Sequence, residues 1–180
     1  MRKFLLSAAL LICGPAMAQS VLFETTLGDF TVELNQDDAP ITVKNFLRYV
    51  EDGSYEGTIF HRVIPGFMAQ GGGFNDKLER RETYPPIKNE ASNGLQNKVA
   101  TIAMARTDKP HTATRQFFIN FKDNGFLDYA IGNDGYAVFG KVTQGFEVVE
   151  SMATKPTTNY GPMQNVPRTP IVINKVTLQP

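Results

Sequence analysis

Arg62 is the side chain whose type and setting point most directly to chemistry. It lies within residues 58–73, Thr-Ile-Phe-His-Arg-Val-Ile-Pro-Gly-Phe-Met-Ala-Gln-Gly-Gly-Gly, among mostly hydrophobic neighbours. A guanidinium stays charged, and stranding it unpaired in an apolar core is costly, so Arg62 belongs on the wall of a partly open cleft. Gln70 supplies an uncharged donor and acceptor nearby, and Gly71, Gly72 and Gly73 permit close backbone approach. An apolar groove holding one fixed cation and one amide suits an apolar ligand that carries a weakly basic or polar atom.

Presenting these groups takes two short strands. Residues 59–64 and 67–69 are apolar runs separated by Pro65-Gly66, a turn signal, so a hairpin is expected. Side chains alternate along a strand, which puts Phe60, Arg62 and Ile64 on one face and His61 and Val63 on the other. Further strand-like runs fall at 21–27, 30–34, 99–105, 116–121, 136–142 and 171–178, with Gly28-Asp29 expected as a hairpin turn between the first two. Asp37-Asp38-Ala39-Pro40 announces a helix whose apolar residues Val43, Phe46, Leu47 and Val50 recur at helical spacing, with Gly53 at its end. Phe146, Val149, Met152 and Ala153 mark a second, shorter one, followed by a loop rich in Pro, Thr and Asn. Residues 75–94 are polar and read as an ordered surface excursion. About eight strands and two helices favour a mainly β fold, a closed antiparallel barrel rather than a sandwich, because closure removes exposed edges.

The first 18 residues stand apart. Arg2 and Lys3 precede the apolar run 4–13, and Ala16-Met17-Ala18 follows, which is the pattern of a secretory signal cut after Ala18. The run is too short to span a bilayer, which takes about 20 residues. Bulky Leu11 and Ile12 before Cys13 disfavour a lipid anchor, so no membrane association is expected after cleavage. Residues 19–180 then form one domain. Loss of the signal leaves 16 basic residues against 18 acidic ones and removes the single cysteine. Thiol exchange is thereby excluded, and a near-neutral charge with no basic run argues against nucleic acid as a partner.

Other chemistries lack their parts. The two histidines, His61 and His111, are far apart, and no carboxylates cluster at ligand spacing, so neither metal nor cofactor is expected. His61, facing away from Arg62, reads as a buried hydrogen-bonding residue and not as an acid or base. A Gly-x-Ser-x-Gly elbow and a phosphate-binding loop are both missing from the sequence.

A proline residue in a peptide fits the groove described above, and the sequence resembles a family that handles it. Residues 60–68, Phe-His-Arg-Val-Ile-Pro-Gly-Phe-Met, with Gln70-Gly71-Gly72, are similar to the central motif of the cyclophilins, the peptidyl-prolyl cis-trans isomerases. The likeness continues through Met104-Ala105, Gln116-Phe117-Phe118-Ile119-Asn120, Phe126-Leu127-Asp128 and residues 138–142, in family order, across nearly all of the chain after residue 20. It implies an eight-stranded barrel with a helix at each end. It also implies that Arg62 and Gln70 are catalytic, that Phe67, Met68, Phe118 and Leu127 form the proline pocket, and that backbone around Ala105 and Arg106 pairs with substrate like an added strand. Phe60, Gln116, Phe126 and Tyr136 complete the implied substrate surface.

The chemistry required is modest. Rotation about a peptide bond meets a barrier of roughly 18–20 kcal/mol, and at X-Pro the isomers differ by about 0.5–1 kcal/mol, so both are populated and exchange slowly. A thousandfold acceleration needs about 4 kcal/mol off that barrier. In the twisted transition state the prolyl nitrogen recovers a lone pair, and a guanidinium aimed there grips it better than the planar ground state. Gln70 is expected to steady the swinging carbonyl and Arg62. A proline-peptide binding module would use the same pocket, but binding alone has no need of the cation. A carrier with a ligand inside the barrel is disfavoured by the large apolar residues on most strands.

Departures from the family set limits. Many eukaryotic cyclophilins have tryptophan where Phe126 aligns and histidine where Tyr136 aligns, and bacterial members commonly share the present residues. Activity is expected to survive and cyclosporin binding to be weak. Arg115, where a small residue is usual, and a longer segment 129–135 are expected to affect preference for the residue before proline. The signal and these substitutions point to a periplasmic, monomeric isomerase acting on unfolded or newly exported polypeptides.

Overall fold

A computed structural model describes residues 19–180; the signal segment expected at 1–18 lies outside the described residues. Ten strands and two helices follow in order: β1 (Ser20–Thr25), β2 (Gly28–Leu34), α1 (Pro40–Glu51), β3 (Thr58–Ile64), β4 (Met68–Asn75), β5 (Thr101–Met104), β6 (Phe117–Asn120), β7 (Val138–Gln144), α2 (Phe146–Met152), β8 (Thr157–Tyr160), β9 (Met163–Pro167) and β10 (Val172–Gln179). Eight of them close an antiparallel barrel in the order β1-β10-β3-β4-β6-β5-β7-β2, and β8 and β9 form a separate two-stranded sheet. Among the described residues no helix is long and apolar enough to cross a membrane.

Inward-facing aromatic residues fill the barrel. Phe23 stacks on Phe30 with centroids 4.8 Å apart, Phe117 meets Phe60 edge-on at 5.9 Å, and Phe46 of α1 packs 5.2 Å from Phe139. All six rings are almost wholly buried. Helix α1 thus plugs one opening, burying Thr42, Val43, Asn45, Phe46, Leu47, Tyr49 and Val50, while Val149 and Met152 of α2 join the same core.

Three local expectations are corrected. The β1–β2 turn falls at Thr26-Leu27 rather than Gly28-Asp29, because the Thr25 hydroxyl donates to the Gly28 carbonyl and accepts from the Leu27 N–H. Gly28 instead opens β2 at φ +122°, a conformation that favours glycine. Asp37 and Asp38 do not cap α1. Glu90 reaches in from the 75–94 excursion, accepting from the Ile41 and Thr42 N–H groups and from the Thr42 hydroxyl, so a distant carboxylate satisfies the helix start. The Pro-, Thr- and Asn-rich loop contains the β8–β9 hairpin, turning at Gly161-Pro162. Its strands are short and mostly exposed, which leaves no apolar alternation to read.

The fourth correction positions the site. Phe60 pairs with Gly71 and Arg62 with Gln70, so two steps along β3 match one along β4, and His61 is the extra residue of a bulge. The bulge breaks simple alternation: Phe60 and Val63 both enter the barrel core, while Arg62 emerges on the outer face.

Candidate active site

Outside the barrel, Met68, Ala103, Phe118, Leu127 and Val138 form a second apolar cluster, flanked by Ile64, Phe67, Ala105 and Tyr136. Backbone register lines up Arg62, Gln70, Phe118, Ala103 and Val138 as consecutive neighbours across β3, β4, β6, β5 and β7. Strands lie about 4.8 Å apart, so Arg62 and Phe118, two strands apart, face each other across roughly 10 Å, about the span of a prolyl ring and its flanking peptide bond.

A cleft of about 150 Å³ opens over this row, lined by Arg62, Phe67, Met68, Gln70, Ala105, Arg106, Phe118, Leu127 and Tyr136. The floor is apolar. Arg62 is half-buried, and among the described residues nothing accepts a hydrogen bond from its guanidinium. The second arginine here differs. Arg106 donates through Nε to the Gly135 carbonyl at 2.9 Å and lies 4.4 Å from the Tyr136 ring centre, which makes it a clamp on the cleft wall. Tyr136 in turn meets Phe118 edge-on at 5.7 Å.

Gln70 does not reach Arg62 by a hydrogen bond; it donates through Nε2 to Gln116 Oε1 at 2.9 Å. Gln116 therefore orients Gln70 from beside the cleft instead of lining it. It lies directly over Gly73, where a Cβ would come within 2.5 Å of the Gln116 side chain, so a residue other than glycine there displaces it. The Ala105 N–H donates to the Gln116 carbonyl at 2.9 Å, which leaves the Ala105 carbonyl and the Arg106 N–H as the backbone groups able to pair with an added strand.

Two further implied contacts change. Phe60 is sealed in the barrel core and cannot touch a ligand; its ring supports β4 from beneath, because the bulge at His61 turns it away from Arg62. Phe126 is two-thirds exposed (66%) and stands on the rim, its ring stacked on Phe67 at 5.6 Å. His61 is buried as expected, 4.6 Å from the Phe74 ring, and burial pulls its pKa down to about 4, so it is neutral near neutral pH. Its Nδ1 has no hydrogen-bond partner among the described residues.

The buried asparagines that support the site escaped the sequence reading, and Arg115, expected to affect preference for the residue before proline, is instead buried away from the cleft. Asn124 is wholly buried; its Nδ2 donates to the Phe67 carbonyl at 3.0 Å and to Asn120 Oδ1 at 2.8 Å, while Asn120 donates to the Thr101 hydroxyl at 2.9 Å. Asp128 Oδ1 accepts from the Asn97 backbone at 2.6 Å. This amide network fixes Phe67 and the 3₁₀ turn Gly125–Leu127, setting both ends of the pocket. Arg115, almost fully buried, donates to the carbonyls of Gly72, Glu82 and Ser54, which ties β4 to the 75–94 excursion and to the end of α1. Arg62 and Gln70 are legible because they stand near glycines and hydrophobes; asparagines scattered through loops carry no comparable signal.

The family model described as "Cyclophilin type peptidyl-prolyl cis-trans isomerase/CLD" matches residues 20–178. The chain belongs to the cyclophilin family. This cyclophilin is 53% identical over 164 residues to peptidyl-prolyl cis-trans isomerase A of Dickeya dadantii, covering 89% of this chain and 86% of that one. It is 50% identical over 179 residues to the peptidyl-prolyl cis-trans isomerase of Acinetobacter baylyi, covering 99% and 95%. Among solved structures, a Cryptosporidium parvum cyclophilin crystallised in the presence of the dipeptide Ala-Pro superposes with a TM-score of 0.75 at 28% identity, over 90% of this chain and 99% of that one. The protein is a peptidyl-prolyl cis-trans isomerase, and proline-containing peptides are the family's substrates.

Proposed function

We propose that this isomerase works in the periplasm after losing residues 1–18, turning over X-Pro bonds of unfolded, newly exported polypeptides as a cofactor-free monomer, with Arg62 as the catalytic group. The observation that carries the reading is the unspent guanidinium of Arg62 at the edge of an apolar cleft of about 150 Å³. The prolyl ring occupies the Phe67, Met68, Phe118 and Leu127 floor. Arg62 donates to the prolyl nitrogen as it becomes pyramidal, and Gln70, held by Gln116, steadies the carbonyl that swings. The Ala105 carbonyl and Arg106 N–H hold the peptide as an added strand. Proton transfer and bond cleavage are not needed, which agrees with the neutral, buried His61. Phe126 has no indole N–H, so cyclosporin binds weakly.

Export is supported by the charged, apolar and Ala-Met-Ala segments of residues 1–18 and by the absence of cysteine after them. The test is the chain expressed from its own start codon, fractionated and sequenced from its N-terminus. A periplasmic product beginning at Gln19 is expected, and full-length cytoplasmic protein would refute the export reading. Exchange NMR on an Ala-Pro peptide tests turnover; binding without acceleration would make the chain a module and not an enzyme.

A further inference from the structure

A second cavity, of about 360 Å³, adjoins the prolyl cleft and shares Arg62 with it. Gln116, the partner of Gln70, borders it too, so the two hollows form one continuous surface. Its remaining walls include Phe74, Arg80 and, from the start of β9, Met163 and Gln164. Two guanidiniums face this space and no lining residue is acidic. The imidazole of His61, also on the wall, is neutral near neutral pH.

Arg80 is held in place by local structure. A bridge joins the Phe74 and Arg80 backbones, and the guanidinium carbon lies 5.4 Å from the Phe74 ring centre. It does not border the prolyl cleft, so an anion held by Arg80 leaves Arg62 available to the prolyl nitrogen. An extended peptide advances about 3.3 Å per residue, which brings a side chain one to three positions from the proline over this second hollow.

We propose that this cavity is a subsite for an acidic side chain of the substrate, with Arg80 as the specificity-determining residue. The proposal rests on the isomerase reading and deepens it by naming the substrate class. A carboxylate there pairs with Arg80 beside the Gln116 and Gln164 amides, with Arg62 at the shared edge adding only its field; an ammonium meets like charge. The exposed setting limits the preference to about two- to fivefold, typical of solvated ion pairs.

The test uses peptides with one proline and alanine elsewhere, with glutamate or lysine placed singly at each of the three positions on either side. Kd is read by NMR titration and turnover by exchange spectroscopy. At one position or more, glutamate is expected to bind about two- to fivefold tighter than alanine and lysine more weakly, with the difference erased by about 0.5 M salt. Arg80→Ala should abolish the preference without changing turnover of the all-alanine peptide, and Arg80→Glu should reverse it toward lysine. Arg80 is exposed, so both variants should fold. A wild-type enzyme that turns over the alanine peptide yet ignores glutamate at every position overturns the subsite alone, as does a glutamate preference that survives in Arg80→Ala.

Discussion

Replacing Arg62 with alanine is the most direct perturbation of the chemistry. The guanidinium has no internal hydrogen-bond partner among the described residues, so its removal orphans nothing, and unfolding free energy should change by no more than about 0.5 kcal/mol. Its effect belongs to the transition state. A hydrogen bond to a charged group contributes about 1.5–3 kcal/mol, and a donor aimed at developing charge in a closed site about 2.7–4 kcal/mol. Arg62 is half-buried in an open cleft, so water screens part of this and about 2–3 kcal/mol is the appropriate figure. At about 1.36 kcal/mol per decade, the exchange rate of a bound Ala-Pro peptide falls about 30- to 160-fold. The planar ground state has no free lone pair on nitrogen, so Kd should rise less than about threefold. Arg62→Lys keeps the charge without the planar fork and should fall between wild type and alanine. Exchange NMR reads rate and affinity on the same sample. A rate within about threefold of wild type, or a loss accounted for entirely by weaker binding, would show that the cation does not act on the rotating bond.

Other outcomes follow from the surrounding groups. Gln70→Ala should slow turnover about 5- to 30-fold, the equivalent of about 1–2 kcal/mol, and should disturb the amide resonance of Gln116, its hydrogen-bond partner. His61 gives a pH dependence of known sign. Burial holds its folded pKa at about 4, against about 6.5 in an unfolded chain, so between those values the unfolded state binds more protons. The stability it contributes is fully present above pH 6.5 and is lost as pH falls toward 4, by up to about 3 kcal/mol. Urea titrations across that range should show a shallower slope in His61→Gln than in wild type; an unchanged slope would contradict the burial argument. Arg115→Ala leaves three carbonyls without their donor and should lower stability by about 3–5 kcal/mol in urea, with Arg115→Lys recovering part.

How far the sequence reveals the fold and the site depends on the range of the interactions concerned. The helices, the barrel strands and the cleft-lining residues from Arg62 to Tyr136 were readable because apolar periodicity and motif order are local properties. Phe60 was misplaced because one extra residue in β3 flips every side chain before it, and the bulge is set by pairing with β4. The Glu90 cap of α1 joins residues 48 or more apart in sequence, and Arg115 gathers carbonyls from 33 to 61 positions away. Asn124 looks like a loop residue until its place beneath Phe67 is seen. The β8–β9 hairpin was hidden for the opposite reason: polar, exposed strands bury too little to leave a pattern.

The barrel has its seam between β1 and β10, where Ser20 lies opposite Gln179. A chain joined at its two extremes cannot complete its core until the closing segment is available, however early the other hairpins form, because the loop between those partners spans almost the whole polypeptide. During synthesis, β1 and β3 therefore each wait with an unpaired edge. The ring seals in one late event, so an enzyme of this shape is itself exposed to aggregation for as long as its final strand is missing.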